Sequence, residues 1–300
     1  MFRSILTALA LVVPMLTGAA WAQTAAQPQP TRKVVFKKTV DSKKNEVQLK
    51  LHIFEPKGHQ RDDRRGAIVF FFGGGWVGGS PSQFYHQSAY LASRGMVAVA
   101  AEYRVKRAHG TSPFECVKDG KSAIRWVRAN AASLGIDPNR IAAGGGSAGG
   151  HVAAATATVQ GLEEADEDAD VSARPNALVL FNPVYDNGSK GYGYERVKER
   201  YLEISPAHNI RRGMPPALVF LGTKDKLIPV ETAKAFQAKM RDVGSRSELM
   251  LFEGAAHGFF NYGRGGGSAY RKTVRAMDEF LTSLGYLEGK PTIAQEKPAQ

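Results

Sequence analysis

The chain has 300 residues and only one cysteine, Cys116, among them. A single cysteine excludes an intrachain disulfide and a zinc site built from cysteine thiolates. The seven histidines are scattered and form no H-E-x-x-H motif, so the sequence gives no indication of a metal site. With 43% hydrophobic and 23% charged residues the chain is not intrinsically disordered, and a packed core has to stabilise it.

Long hydrophobic runs are absent apart from one near the N-terminus, where Arg3 precedes an apolar run over residues 5–16. This run has 12 residues, whereas a membrane span needs about 20. Residues 20–22, Ala-Trp-Ala, have the A-x-A form of a cleavage site. The pattern is typical of a secretory signal peptide over residues 1–22, cleaved after its last residue. We therefore expect a secreted or periplasmic protein without a membrane span.

Acidic residues are outnumbered, with 28 Asp and Glu against 40 Lys and Arg and a net charge of +12. The excess is densest over residues 31–66, which hold 11 basic and 5 acidic residues. Such a surplus favours an acidic partner, but no nucleic-acid-binding motif accompanies it and export would separate the protein from nucleic acid. We therefore expect no nucleic-acid partner. The expected acidic partner is the cell envelope or an anionic polysaccharide.

Two hydrophobic patterns predict an α/β fold. Residues 47–53 alternate between apolar and polar side chains, as in a strand with one solvated face, and we expect an antiparallel edge strand there. Six short, continuously apolar runs are typical of strands buried on both faces of a parallel sheet. They are residues 67–72, 96–101, 141–143, 177–181, 217–221 and 249–252. Helical stretches lie between them, the clearest beginning with a capping box at Ser112 and Glu115. The alternation predicts a mostly parallel central sheet with helices on both faces.

These patterns assign residues 33–288 to one domain, preceded by a flexible linker over residues 23–32 and followed by a flexible tail over residues 289–300. Two segments interrupt the alternation. The acidic segment 163–170 is predicted to be a solvated loop, with cation binding as the alternative. The irregular segment 183–216 is long for a loop and is predicted to form a small lid-like insertion over a pocket.

A glycine-rich motif directly follows the predicted strand 141–143. Gly145, Ser147 and Gly149 match the G-x-S-x-G nucleophile elbow, in which a sharp turn between strand and helix exposes the serine hydroxyl. Glycine neighbours leave room for this turn and for a substrate. The motif predicts a nucleophilic serine at the amino end of a helix.

A serine nucleophile needs a histidine base and a carboxylate that orients it, which follow in the order acid, then histidine, in this kind of fold. Two pairs fit this order, Asp186 with His208 and Asp225 with His257. Asp225 and His257 both closely follow predicted strands, and open α/β sheets place their sites at the carboxyl ends of strands. No predicted strand precedes His208. We therefore predict that Ser147, His257 and Asp225 act together.

A third requirement is a set of donors for the negative oxygen that develops when a carbonyl is attacked. Residues 73–75, three glycines directly after a buried strand, can offer closely approaching backbone amides. Ala148, the residue after the serine, adds another amide. The sequence thus supplies every part of a serine hydrolase site.

Together these motifs resemble those of α/β-hydrolase carboxylesterases. Over about residues 45–285 the chain is similar to the hormone-sensitive-lipase-like esterases, and closer still to the bacterial acetyl xylan and feruloyl esterases. The shared motifs are G-G-G-W at 73–76, E-Y-R at 102–104, G-I-D-P-N-R-I at 135–141, G-G-S-A-G-G at 145–150, G-T-K-D at 222–225 and H-G-F at 257–259. The resemblance implies an α/β-hydrolase fold, the same triad, and Gly74, Gly75 and Ala148 as oxyanion donors, with no cofactor.

The resemblance also implies a serine esterase that acts on short acyl groups, acetyl or an aromatic acid such as feruloyl, carried by a polysaccharide. Trp76 and the tyrosines from Tyr185 to Tyr201, with Tyr185 first among them, are hypothesised to border the acyl or sugar site. One departure concerns Phe72, because the family's glycine loop usually opens with a histidine that shapes the loop.

Other functions remain open at this stage. A serine peptidase or lipase would use the same fold and triad, and a binding protein without turnover could use the same scaffold. Gly73, Gly75 and Gly78 also match G-x-G-x-x-G, with Glu102 after the next strand, as in dinucleotide-binding proteins. Against this, Trp76 occupies the turn that would have to approach a pyrophosphate.

Overall fold

The computed structural model describes residues 26–294, so the predicted signal peptide lies outside the described residues. Its eight strands form one sheet in the order β1-β2-β4-β3-β5-β6-β7-β8. The strands are β1 (Arg32–Val40), β2 (Glu46–Phe54), β3 (Arg65–Phe71), β4 (Val97–Ala101), β5 (Ile136–Gly146), β6 (Ala177–Phe181), β7 (Ala217–Gly222) and β8 (Ser247–Phe252). The pairs β1–β2 and β2–β4 are antiparallel and all later pairs are parallel. The prediction of a mostly parallel sheet is confirmed.

Helices cover both faces of this sheet. They are α1 (Tyr85–Ser93), α2 (Lys106–His109), α3 (Pro113–Ala129), α4 (Ala148–Thr158), α5 (Tyr194–Val197), α6 (Val230–Asp242) and α7 (Ser268–Ser283). Side chains of α3, α4 and α6 pack in one core cluster, and those of α1 and α7 pack in a second cluster on the other face. The capping box forms as predicted, because the Ser112 hydroxyl accepts the amide of Phe114 while Glu115 accepts the amide of Ser112. None of the helices within the described residues is long and apolar enough to cross a membrane.

The two edges of the sheet differ from the prediction. The antiparallel strand predicted at residues 47–53 is β2, but it is not the edge, because the unpredicted strand β1 lies outside it. The run 249–252 was expected to be buried on both faces, yet it lies in the opposite edge strand, β8. Met250 is 37% and Leu251 42% exposed there. An edge strand has one neighbour only, so its outer side chains keep contact with solvent.

The ends of the described chain lie against the domain. Strand β1 begins at Arg32, the last residue of the predicted linker, and the Gln27 side chain donates to the Ser82 carbonyl at 3.1 Å. In the predicted tail, the Thr292 amide donates to the Tyr90 hydroxyl at 3.2 Å.

The acidic segment 163–170 is bound to the domain through its glutamates. Lys121 donates to Glu163 at 2.6 Å and Lys37 donates to Glu164 at 2.7 Å. Arg125 contacts Glu167 as well as Glu163. The segment is a largely exposed loop, as predicted, but its glutamates also pair with the domain, because buried cations need carboxylate partners. Within residues 26–294 no group of three His, Cys, Asp or Glu side chains could hold a metal ion.

Candidate active site

The loop between β5 and α4 holds Ser147 in a strained conformation, with φ 54° and ψ −121°. The flanking glycines are required by close approach: a Cβ at Gly145 would lie 2.3 Å from the Gly149 carbonyl oxygen. A Cβ at Gly149 would lie 2.1 Å from the Phe71 carbonyl oxygen. Any larger residue at these positions would force the turn apart. The glycines thus allow the sharp turn that presents the Ser147 hydroxyl at the amino end of α4.

Two loops at the carboxyl ends of β7 and β8 bring the predicted partners to this serine. His257 Nε2 lies 2.9 Å from Ser147 Oγ, and His257 Nδ1 lies 2.7 Å from Asp225 Oδ2. The three residues are far apart in sequence and are connected by hydrogen bonds in the order that nucleophilic catalysis needs.

The surroundings of Asp225 fix the direction of this hydrogen-bond chain. Burial by itself would raise the pKa of Asp225, but hydrogen bonds from His257 and from the amides of Ile228 and Leu227 lower it below its usual value. The two amides reach Oδ1 at 3.0 and 2.8 Å. Asp225 is therefore a carboxylate at neutral pH. It accepts the proton on Nδ1 of the imidazole, which leaves Nε2 free to accept the proton of Ser147.

The glycine loop after β3 leaves backbone amides available next to the serine. Within the described residues, the amides of Gly74, Gly75 and Ala148 make no hydrogen bond to the protein. The Gly73 amide, in contrast, donates to Gln83 Oε1 at 2.6 Å. The structure therefore leaves free the same three amides that were predicted as oxyanion donors.

The departure at Phe72 is accommodated by packing. Its ring stacks on that of Tyr103, with centroids 4.1 Å apart, and the Tyr103 hydroxyl donates to the Phe72 carbonyl at 2.5 Å. A buried aromatic pair thus holds the start of the glycine loop, where the family usually has a histidine.

A pocket of about 390 Å³ opens beside Ser147 and His257. Its lining also includes Gly74, Gly75, Val77, Tyr192, Arg196, Leu227, Phe260 and Arg264. The residues Tyr192 and Arg196 come from the segment 183–216, so this predicted lid-like insertion does border the pocket. The insertion contains only α5 and two short 3₁₀ helices, at Lys198–Glu203 and Pro206–His208.

The structure contradicts the predicted substrate contacts of two residues, Trp76 and Tyr185. Trp76 is 1% exposed and packs with its ring edge-on to His151, at a centroid distance of 5.0 Å. Tyr185 is fully buried and stacks on Phe236 at 4.2 Å. Neither lines the pocket, whereas Tyr192 does. Large aromatic rings near a site are often part of the core beneath it, and the sequence gives no signal that separates the two cases.

Two other histidines near the site in sequence or order, His208 and His151, do not line the pocket. Asp186 and His208, the second candidate pair, lie 3.8 Å apart, and His208 contacts the hydroxyl of Ser205, at 2.9 Å. His151 is fully buried and its Nε2 donates to the Ile204 carbonyl at 3.1 Å. Burial lowers the pKa of His151 to about 4, so it stays neutral. His151 therefore packs inside the fold.

Two residues that position the site were missed by the sequence analysis. Asn182, at the end of β6, accepts the Gly258 amide at 2.9 Å and its Nδ2 lies 3.5 Å from His257 Nε2. Gln83 Nε2 donates to Asn261 at 3.0 Å and so links the glycine loop to the histidine loop. Asn182 follows a predicted strand at its carboxyl end, which was an available signal; Gln83 carries none.

Comparison with known proteins agrees with the fold and with the geometry of the site. Residues 51–187 match the BD-FAE family model. Thermogutta terrifontis esterase 2, solved as the adduct with cyclosarin, is 50% identical; the match covers 86% of this chain and 96% of that one, with a TM-score of 0.82. This chain belongs to the α/β-hydrolase carboxylesterases. The same esterase with butyrate bound is 48% identical over 86% of this chain and 96% of the other, with a TM-score of 0.81.

Curated relatives in the family are more distant. Esterase LipC of Mycobacterium tuberculosis is 35% identical over 216 residues, which are 64% of this chain and 52% of LipC. An acetylxylan esterase of Xylanibacter ruminicola is 28% identical over 210 residues, 64% of this chain and 41% of that protein. The chain thus spans about half the length of the curated relatives it matches.

Proposed function

We propose that this protein is a serine carboxylesterase that hydrolyses short-acyl esters through an acyl-enzyme intermediate. The observation that carries the proposal is the hydrogen-bonded chain from Ser147 through His257 to Asp225, beside free backbone amides and an open pocket. A surface histidine and a turn aspartate without a catalytic role would not be expected to form successive hydrogen bonds to a strained serine.

The reaction follows from this geometry. His257 Nε2 takes the proton from Ser147 as Oγ attacks the ester carbonyl carbon, and the resulting imidazolium is stabilised by the Asp225 carboxylate. The amides of Gly74 and Gly75, with that of Ala148, stabilise the negative oxygen. The imidazolium then gives its proton to the departing alcohol, which leaves the acyl group on the serine. Water attacks next with the same histidine as base, and the acid is released.

The preference for short acyl groups is supported by the size of the pocket, about 390 Å³, and by the propionate and butyrate complexes of the Thermogutta esterase. The acetylxylan esterase relative supports acetyl groups, and feruloyl-type esters are the alternative. A neighbouring pocket of about 480 Å³ contains the polar side chains of Ser82, Gln83 and Asn261, with the His86 and Tyr262 rings stacked beside them. Hydroxyl and amide groups next to an aromatic ring suit a sugar, which supports an esterified polysaccharide as the substrate.

Hydrolysis of p-nitrophenyl acetate, butyrate and octanoate and of a feruloyl ester, measured as kcat/KM, tests this function. We expect acetyl or butyryl to be preferred, and a clear octanoyl preference would refute the short-acyl assignment. Ser147→Ala should lose about 10⁶-fold in turnover, as expected when a catalytic nucleophile is removed, and keep its circular dichroism spectrum. A fluorophosphonate probe should label the wild type and not the variant. A binding protein without turnover would hydrolyse none of these esters and would not react with the probe. A peptidase would cleave amides in preference to esters.

We further propose that the protein is exported. The supporting observation is the signal-peptide pattern over residues 1–22, which lies outside the described residues. Mass spectrometry of the protein expressed with its own N-terminus in a Gram-negative host should find Gln23 as the first residue, in the periplasm or the medium. An intact N-terminus in the cytoplasm would contradict export.

A further inference from the structure

The pocket carries positive charge that the hydrolysis of a neutral ester does not require. Among the described residues that line it, Arg196 and Arg264 are the only ones with a formal charge, and no aspartate or glutamate lines it. Asp225 lies behind His257 and is fully buried. The pocket therefore carries a positive potential in front of the serine, and the chain's net charge of +12 adds to it.

Arg196 is fixed against the oxyanion loop. Its Nη1 donates to the Gly75 carbonyl, and its guanidinium lies 5.5 Å from the centroid of the Tyr192 ring. Its acidic neighbour, Glu195, contacts Nε at 3.1 Å but is 63% exposed, so solvent screens that charge. The Nη2 group makes no hydrogen bond to a described residue and remains available at the pocket wall.

Arg264 lies on the opposite loop, next to the catalytic histidine. A Cβ built on Gly258 would lie 2.9 Å from Arg264 Nη1, so the guanidinium packs on the residue that follows His257. Within residues 26–294, Arg264 has no ion pair, and its side chain makes no hydrogen bond. Glycines at 263 and 265–267 flank it, all with positive φ. Arg264 is exposed and lines the pocket, so its donors are available to a ligand.

Two arginines that keep unpaired donors, in a pocket whose described lining contains no acid, form a site for an anion. The guanidinium group matches carboxylate geometry and binds it by paired hydrogen bonds. We propose that this pocket selects esters that carry a carboxylate close to the scissile bond, and that Arg264 binds it with Arg196 opposite. The inference rests on the serine carboxylesterase function proposed above and names a substrate class for the same site.

The carboxylate could belong to either part of the ester. In one case the acyl group is a dicarboxylic acid esterified at one end, and in the other the alcohol is a hydroxy acid, such as a uronic acid of an acidic polysaccharide. The chemistry at the arginines is the same, and matched substrates distinguish the two cases.

The test compares an anionic ester with a neutral ester of similar size in two arms. The acyl arm uses p-nitrophenyl hydrogen succinate against p-nitrophenyl pentanoate, and the alcohol arm uses 4-acetoxybenzoate against its methyl ester. Rates measured with Ser147→Ala are subtracted as the uncatalysed background. We expect the wild type to give a higher kcat/KM for the anionic ester in at least one arm. Raising the salt from about 0.05 to about 0.5 M should reduce this preference, because salt screens exposed charges.

Arg264→Gln should lower the ratio of anionic to neutral kcat/KM by about fivefold, the effect expected of one solvent-accessible charge pair. Arg264→Lys should restore most of it. The matched control is Arg61→Gln, which removes one exposed charge from the loop before β3, at the other end of the strand from the site. This control should leave the ratio within about twofold of the wild type, as usual for a surface change away from the site.

The outcomes separate this inference from the function on which it rests. A preference in one arm that Arg264→Gln removes supports the proposal and assigns the carboxylate to that part of the ester. Neutral esters hydrolysed at least as well as anionic ones in both arms, or a ratio insensitive to Arg264→Gln, would overturn the carboxylate site alone. Failure of the wild type to hydrolyse any ester or to react with the fluorophosphonate would overturn the esterase function instead.

Discussion

Replacing Gly74 by alanine should damage catalysis far more than it damages the fold. Gly74 has φ 131°, and a Cβ there would lie 2.1 Å from the Gly78 carbonyl oxygen. Real Cβ atoms essentially never approach other atoms within 3.0 Å, so the loop has to move by about 0.9 Å, the difference between these distances. A displacement of about 1 Å at a reacting centre costs about 10²-fold, and loss of an oxyanion donor costs about 10²- to 10³-fold. We therefore expect kcat to fall by about 10²- to 10³-fold.

A matched control lies in the same loop. Gly78 is not in the left-handed region, and the nearest atom to a Cβ there is Arg107 Nη1 at 3.7 Å, an ordinary contact. Gly78→Ala should therefore keep activity within about threefold of the wild type, as for a change that fits the available space. The assay is kcat and KM for p-nitrophenyl acetate, with thermal unfolding to show that both variants are folded. Equal kcat for Gly74→Ala and Gly78→Ala would refute the assignment of this loop as the oxyanion site.

Two further predictions concern residues outside the triad. Within residues 26–294 the buried Tyr185 hydroxyl has no hydrogen-bond partner, so Tyr185→Phe should leave KM unchanged and raise the free energy of unfolding by up to about 1 kcal/mol. A raised KM in the same kinetic assay would restore the substrate role that burial contradicts. Burial would raise the pKa of Glu163 and Glu164, but bonds from Lys121 and Lys37 outweigh it and lower both pKa values. Their contribution to stability is therefore present above about pH 4.3 and is lost as the pH falls through the lowered values. Urea unfolding midpoints between about pH 6 and 3 should drop less steeply in a Glu163→Gln, Glu164→Gln variant than in the wild type, and parallel curves would contradict the pairing.

Much of the site was predictable because its chemistry follows local patterns. The elbow at Ser147 needs glycines at fixed spacing, and Asp225 and His257 follow apolar runs that form strands. Both candidate pairs fit the chain order, and the predicted strand before His257 favoured it over His208, since parallel strands bring their carboxyl ends to one edge of the sheet. These signals depend on residues close in sequence and on one rule of topology.

The edges of the sheet were less predictable. Strand β1 carries four lysines and arginines, among them Lys37, whose ammonium reaches inward to Asp119 at 2.7 Å. Edge strands bury less apolar surface than central ones and often carry basic side chains, so their hydrophobic pattern is weak. Strand β8 shows the opposite case: its apolar run predicts burial, but Met250 and Leu251 are exposed because an edge strand has fewer neighbours to cover it.

The sequence by itself predicted the fold class, the three residues of the proposed triad and the glycine loop of the proposed oxyanion site, because sharp turns and buried strands restrict which residues can occupy them. Only the tertiary structure decided which amides are free. The Gly73 amide is taken by Gln83, and that contact depends on how two loops pack. It also decided that Trp76 and Tyr185 are buried while Arg264 faces the pocket. Burial and charge around a side chain depend on neighbours distant in sequence, and residue types alone do not specify them.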